Sequence, residues 1–237
     1  MTDLSKSPDR IAGMFDAIAA RYDVLNHVLS AGVDRRWRRR AIRTLGLTGV
    51  ERVLDLCSGT GDLALAALRT SPGARRVVGV DFAGAMLRVG QQKIAGARLT
   101  DRAALVRGDA TRIPVATASV DAVTIAFGIR NVDDPDAACE EMRRVLRPGG
   151  RVAVLEFAIP TMPGVRPIYL WYFRHILPRL GRLISRHDAA YAYLPESVSA
   201  FASPDEFVTI LRRHGFIDVS SVPLTFGVVF LYTARRD

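Results

Sequence analysis

The stretch Val53-Leu54-Asp55-Leu56-Cys57-Ser58-Gly59-Thr60-Gly61 decides the fold. A short apolar run carries an acid, Asp55, and opens into a turn that holds Gly59 and Gly61. A helical pattern, Asp62–Arg69, follows. A second apolar run, Val77-Val78-Gly79-Val80-Asp81, ends on an acid 20 residues beyond Gly61. Strand, glycine turn, helix, strand and terminal acid describe a nucleotide-type cofactor site at the carboxyl edge of a parallel sheet. The glycines let backbone approach a ligand where a Cβ would collide. The acid closing the second strand can accept both hydroxyls of a ribose.

Gly59-Thr60-Gly61-Asp62-Leu63-Ala64 fits the dinucleotide pattern G-x-G-x-x-A. Charge argues against a pyrophosphate, which would take up the positive dipole where the helix opens near Asp62. A carboxylate stands there instead, and Asp55 lies just before the turn. Two acids repel phosphate and suit a cationic ligand that carries none. S-adenosyl-L-methionine, with its adenosine, sulfonium and ammonium, is such a ligand. Asp62 has a plainer alternative, favouring its own helix dipole by a few tenths to about 1 kcal/mol. A strand-end acid such as Asp55 beside two glycines has little structural reason to exist.

The 237 residues fit one large α/β domain with an appendage, and a 49% hydrophobic content supports a sizeable core. Cys57 and Cys139 are too few for a disulfide framework or a zinc site, so a reducing, cytoplasmic setting is expected and no metal. Met1–Arg10 lacks the apolar core of a signal peptide. No run approaches the roughly 18 apolar residues of a membrane-spanning helix. The net charge of +9 permits nucleic acid, an anionic membrane face, or neither.

Residues 8–46 read as helical, with Ile11, Met14, Phe15 and Ile18 at helical spacing and Ser30-Ala31-Gly32 as a break. Arginines then crowd positions 35–43 around Trp37, by default a solvated helix face. Strands are expected near 52–56, 77–81, 103–107, 120–126 and 151–157, and helices near 62–69, 83–95 and 134–146. That alternation implies a parallel sheet with right-handed crossovers. Arg147-Pro148-Gly149-Gly150 reads as the turn into strand five. Residues 160–200 interrupt the alternation, and Pro178 and Gly181 break the aromatic, basic run Ile168–Ile184. Ser203-Pro204-Asp205-Glu206 starts a helix, and Phe216–Val219 and Phe226–Thr233 close the chain as two strands near a hairpin. The expected architecture is an α/β fold. Its seven-stranded, mostly parallel sheet has helices on both faces and an N-terminal helical extension. We divide it into a helical cap (1–46), a cofactor-binding core (47–158), a helical substrate or membrane insert (159–202) and a final helix with hairpin (203–237).

Three further blocks carry a family resemblance. The first is Tyr22-Asp23-x-x-Asn26-x-x-Leu29-Ser30 with Trp37 seven residues on. The second is Phe127-Gly128-Ile129-Arg130-Asn131-Val132, leading to Arg144-Val145-Leu146-Arg147-Pro148-Gly149-Gly150 and Leu155-Glu156-Phe157. The third is Tyr191-x-Tyr193-Leu194-x-Glu196-Ser197. With these in order, the chain resembles the ubiquinone/menaquinone biosynthesis C-methyltransferase family (UbiE/MenG) over essentially its whole length. It departs from the family pattern at Leu25 (often Met), Asp34 (usually His), Asp109 (often Asn), Ala126 (usually Ser) and Ala158 (commonly Ser). The resemblance implies a Rossmann-like class I methyltransferase fold with S-adenosyl-L-methionine as cofactor. The implied reaction is methylation of a ring carbon of a prenylated quinol, demethylmenaquinol or the benzoquinol intermediate of ubiquinone synthesis. It places cofactor contacts at Thr60, Asp81, Asp109, Ala110 and, through backbone only, Ala126. Asp55, Gly59 and Gly61 complete the expected cofactor set.

Methyl transfer from a sulfonium is an in-line displacement whose leaving group is already activated, so positioning supplies much of the acceleration. The ring carbon becomes nucleophilic when a neighbouring hydroxyl loses its proton, and a phenol titrates near 10. A base or a fixed positive charge is therefore required. Arg130, after strand four, is the candidate charge; the plainer alternative pairs it with Asp133 or Asp134. Tyr22 is the second catalytic candidate, as relay or ring platform, against a core tyrosine. His27 and His187 are weaker candidates for the proton acceptor, and Cys57 reads as a small buried residue. In Tyr169–Ile184, Leu170, Trp171, Phe173, Ile176, Leu177 and Leu180 alternate with Arg174, Arg179 and Arg182. Such a stretch can dip into anionic headgroups or pack as a lid. The expected partners are the prenylated quinol and an anionic membrane surface at the inner face of the cytoplasmic membrane, with a homodimer left open. Nucleic acid is not expected. Ala126-Phe127-Gly128-Ile129 stands where a nucleic-acid methyltransferase typically shows an Asn/Asp-Pro-Pro-aromatic tetrapeptide. A nicotinamide oxidoreductase and a non-catalytic quinone-binding subunit are the remaining rivals.

Overall fold

Five apolar runs pair as parallel strands, and the last two join them as antiparallel neighbours. The computed structural model describes residues 7–70, 72–176 and 188–237. The strands are β1 (Arg52–Leu56), β2 (Arg76–Asp81), β3 (Ala103–Arg107), β4 (Val120–Ala126), β5 (Leu146–Phe157), β6 (Phe216–Leu224) and β7 (Val229–Arg236). They form one sheet in the order β3-β2-β1-β4-β5-β7-β6. Strand β7 runs antiparallel between β5 and β6. Because β1 lies between β2 and β4, the order reverses direction at β1, and ligands bind outside the carboxyl ends at such a switch point.

The helices are α1 (Pro8–Ile18), α2 (Tyr22–Leu29), α3 (Asp34–Thr44), α4 (Asp62–Arg69), α5 (Gly84–Gly96), α6 (Pro135–Val145), α7 (Val165–Trp171), α8 (Asp188–Ala200) and α9 (Pro204–Arg213). Alternate strand residues feed two cores. Leu54, Val123, Ile125, Val152, Val154 and Tyr232 pack on α6 and α9 through Cys139, Met142, Phe207 and Leu211. Val53, Val77, Ala122, Ala153 and Leu231 pack on α3 and α4 through Ile42, Leu45, Leu63 and Leu68. A period of two on strands buried on both faces produces this division. Helix starts follow local chemistry: Asp134 caps α6 at the Ala137 amide, and Ser203 with Glu206 forms a reciprocal capping box on α9.

The structure redraws some expected boundaries. Strand β5 begins at Leu146, which pairs with Val120 before the register shifts to Ala122 opposite Arg151. The Pro148-Gly149-Gly150 run therefore lies inside an irregular strand, with Gly149 at φ +75°. At the hairpin Phe226 has φ +58° and sits in the turn, so β7 starts at Val229. Helix α7 runs into a π-helical turn, Tyr172–Ile176. Leu177, Pro178, Arg179, Leu180, Gly181, Arg182 and His187 lie outside the described residues.

The N-terminal helices fold onto the cofactor edge of the sheet. Ile18 and Ala19 pack on Ala83 and Met86, and Asp16 accepts from the Ala85 amide at 2.6 Å in the first turn of α5. Leu25 packs on Tyr169 and Phe173, while the Tyr172 hydroxyl donates to the Leu29 carbonyl at 3.0 Å. The cap and the 159–176 segment thus meet over the same edge.

Candidate functional site

Chain geometry after β1 is set by a run of unusual backbone angles. Cys57, Gly59 and Gly61 have φ of +54°, +52° and +75°. The Ser58 amide bonds the Val80 carbonyl at 3.1 Å, and the Gly61 amide bonds the Ser58 carbonyl at 2.8 Å. A Cβ on Gly59 would meet nothing within 4 Å, so open space faces the turn there. Gly61 then starts α4.

Asp81 stands at the end of β2, as the sequence places it. Its Oδ2 accepts from the Gly59 amide and its Oδ1 from the Ala83 amide, each at 2.8 Å. Desolvation raises its pKa despite those amides. Each oxygen keeps a second lone pair, enough for two ribose hydroxyls. Asp55 is 1% exposed; Oδ1 accepts from Thr124 at 2.9 Å, the Ala64 amide also favours the carboxylate, and among the described residues Oδ2 is buried without a hydrogen-bond partner. Burial pushes its pKa up to about 7. An orphaned buried carboxylate oxygen suits a cationic group, so these residues fit an aminoacyl-sulfonium nucleoside. Asp109 accepts from the Thr111 amide at 2.8 Å, Ala110 is 3% exposed, and Ala126 ends β4.

One expectation at the turn needs correction. Asp62 does not add free negative charge, because Lys93 of α5 pairs with it and Arg38 lies 3.9 Å away. The Thr60 hydroxyl donates to Asp23, itself paired with Lys93 at 2.6 Å, so that side chain is committed within the protein.

The turn after β4 brings the catalytic candidates in. Phe127 has φ +61°, and a Cβ on Gly128 would lie 2.3 Å from the Cys57 Cβ. Only glycine permits this approach of the Arg130 loop to the glycine turn. Arg130 is 5% exposed and pairs with Glu156 at 2.8 Å, not with Asp133 or Asp134. Its Nη1 also donates to the Phe127 carbonyl, its Nε to Ser197 at 3.4 Å, and its carbon stands 5.5 Å from the Phe157 ring centre. Among the described residues nothing bonds Nη2. Glu156 is fully buried and also accepts from the amides of Arg130 and Phe157. The sequence showed Glu156 as an acid in an apolar strand, and that was the available signal for its pairing.

Arg130 and Tyr22 both line a mainly apolar cavity of about 540 Å³. Trp37, Phe127 and Phe157 form an aromatic wall, the last two stacked at 4.5 Å. Tyr22 is half-buried and hydrogen-bonded to Asn26, and burial raises its pKa. None of the eight cofactor candidates lines this cavity, which adjoins the glycine turn through Phe127 and Gly128. His27 lies elsewhere, bonded to Asp34 at 2.9 Å. Burial alone would raise the Asp34 pKa, but Arg38, Ser30 and His27 together hold it below the usual carboxylate range. In α3, Trp37 and Arg38 are buried while Arg35, Arg36, Arg39, Arg40 and Arg43 form the exposed face. Desolvation and nearby carboxylates hold the Cys57 thiol far above its usual range, so it is inert.

The strand order with its antiparallel β7, the glycine turn and the strand-end acids define a Rossmann-like class I methyltransferase fold. A SAM-dependent methyltransferase of Thermotoga maritima has this fold, with a TM-score of 0.67 at 16% identity over 95% of this chain and 99% of that one. The chain belongs to the ubiE/COQ5 methyltransferase family, whose family model matches residues 1–236. It is 43% identical over 236 residues to the ubiquinone/menaquinone biosynthesis C-methyltransferase UbiE of Geobacter sp. (strain M21), covering 100% of both chains. It is 37% identical over 231 residues to the demethylmenaquinone methyltransferase of Bacteroides fragilis, covering 98% of this chain and 94% of that one.

Proposed function

We propose that this chain transfers a methyl group from S-adenosylmethionine to a ring carbon of a prenylated quinol, with demethylmenaquinol as the leading acceptor. The observation that carries the reading is the Arg130 guanidinium, buried in an apolar cavity beside the glycine turn with Nη2 unbonded among the described residues. Family membership and the names of the two relatives support the acceptor class.

Asp55 Oδ2 would hold the donor's ammonium, Asp81 its ribose and Asp109 its adenine amino group, with Thr60, Ala110 and Ala126 contributing backbone. The bound donor supplies a methyl group already activated for displacement. Glu156, the Phe127 carbonyl and Ser197 fix the guanidinium so that Nη2 points its two protons at the acceptor's oxygen. That charge stabilises the developing quinolate and lowers the acceptor's pKa, and it is preorganised in a mainly apolar cavity. Arginine stays protonated, so it is not the base. Tyr22, tied to Asn26, would relay the proton outward.

The cavity's mouth supports contact with a lipid surface. Ile168 and Phe226 line it and are 68% and 69% exposed, with Trp171 and Met162 also exposed nearby in sequence. Arg166 and Arg174 add positive charge to the same segment. Among the described residues no helix is long and apolar enough to cross a membrane. The contact proposed is therefore peripheral, on anionic headgroups.

The direct test is methyl transfer to reduced demethylmenaquinone and to its benzoquinol counterpart in detergent, with product mass measured and RNA as a comparison acceptor. One added methyl on a quinol ring is expected. No product from either quinol refutes the reading, and methylated RNA replaces it.

A further inference from the structure

Two phenol hydroxyls of the cavity wall have no partner among the described residues. Tyr169 of α7 and Tyr193 of α8 are 7% and 4% exposed, and both line the cavity. Among the described residues each hydroxyl oxygen is buried without a hydrogen bond. Other hydroxyl and indole groups of the same wall are satisfied. Tyr172 donates to Leu29, Trp37 to Thr225 at 2.9 Å, and Ser30 to Asp34 at 2.9 Å. Tyr22 is bonded to Asn26. Buried hydroxyls are ordinarily paired, and an orphan is costly, so two in one apolar cavity need an explanation.

Their placement supplies one. Tyr193 lies one helical turn before Ser197, whose hydroxyl accepts from Arg130 Nε. Tyr169 packs on Phe173 at a tilt of 36° with ring centres 4.2 Å apart, which fixes its ring. The Arg130 charge acts on both phenols. The two hydroxyls thus belong to the polar end of the cavity, around the group that faces the reacting ring.

We propose that Tyr169 and Tyr193 hydrogen-bond the two ring oxygens of the acceptor, so that the cavity selects a ring oxygenated at both ends and fixes its register before Arg130. The proposal rests on the quinol reading above. Apolar walls alone hold a flat ring without direction. A hydrocarbon ring would leave both hydroxyls unpaired and a mono-oxygenated ring would leave one. A site built to bond a substrate oxygen discriminates strongly against an analogue lacking it. A quinol satisfies both phenols at once, because a phenol can donate or accept.

The test uses the full chain and its Tyr169→Phe, Tyr193→Phe and doubly substituted variants. A short-chain prenylated 1,4-naphthoquinol serves as substrate, and the matching prenylated 1-naphthol as competitive inhibitor. Each single substitution should lower kcat/KM for the quinol about tenfold and the pair about a hundredfold, with Tm unchanged or raised. For the naphthol, one substitution should raise Ki about tenfold and the other leave it unchanged, since one hydroxyl has no partner there. Substitutions that leave the quinol kinetics intact, that change naphthol Ki equally, or that lower Tm together with activity overturn the assignment. A wild-type protein inactive on the quinol refutes the reaction itself, whereas an active wild type with unaffected variants refutes only the role of the tyrosines.

Discussion

Asp55→Asn separates a donor-binding acid from a structural one. The wild-type carboxyl is buried with Oδ2 unpaired, and its pKa rises from 3.8 to about 7 through desolvation. A folded pKa above the unfolded value means that this group's contribution is fully present below about pH 4. It is lost as pH rises through about 7. The difference of about 3 in pKa, at 1.36 kcal/mol each, caps the loss at about 4 kcal/mol by pH 8. Asparagine keeps the size, lets Thr124 go on donating, and does not titrate. Without donor, the variant should therefore match the wild type near pH 4 and exceed it by up to about 4 kcal/mol at pH 8, read by urea unfolding. With S-adenosylmethionine the order reverses. The ligand's ammonium favours ionised Asp55, so wild-type affinity should climb between pH 6 and 8, with proton release in calorimetry. The variant should bind about tenfold or more weakly at pH 8, the scale of one hydrogen bond to a charged group. A variant less stable than the wild type at both pH values, with pH-independent donor binding in the wild type, would refute the reasoning.

Three other outcomes follow from the same geometry. Arg130→Ala strips the buried Glu156 of its partner, so unfolding free energy should fall by about 3–5 kcal/mol and methyl transfer at least about a hundredfold. Adding Glu156→Gln should restore most of the stability and none of the turnover; recovered turnover would remove Arg130 from the mechanism. Gly128→Ala puts a Cβ 2.3 Å from that of Cys57, so Tm should drop sharply, and Cys57→Gly, unlike Cys57→Ala, should recover part of it. In flotation on anionic vesicles the wild type should rise with the lipid, and Trp171→Asp with Met162→Asp should stay behind. A wild type that stays behind ends the membrane proposal.

Local period and turn chemistry were enough to place β1 to β4 and α4 to α6, because each depends on residues adjacent in the chain. Strand β5 was less legible. Pro148-Gly149-Gly150 looks like a loop in isolation, and only the pairing of Leu146 with Val120 across the sheet makes it strand. The site shows the same division. Asp81 and Asp55 were visible because a strand-end acid beside glycines is a local anomaly. The partner of Arg130 was not, because Glu156 lies 26 residues away and becomes a neighbour only when Ala126 aligns with Leu155 in adjacent strands. The orphaned hydroxyls of Tyr169 and Tyr193 are facts of packing that composition cannot carry.

At the glycine turn, too, a distant residue alters the local picture: Lys93 reaches Asp62 from α5. With Asp62 cancelled, net charge near the turn no longer discriminates between an onium donor and a pyrophosphate. Burial does. Thr124 and the Ala64 amide serve the Asp55 carboxyl, yet among the described residues its Oδ2 is buried without a hydrogen-bond partner. A phosphate placed there would add a second unpaired negative charge to a low-dielectric pocket, whereas an ammonium would supply the missing partner. The preference for a positively charged donor thus rests on one unsatisfied oxygen rather than on a tally of charges, and that is why the Asp55→Asn titration bears on it so directly.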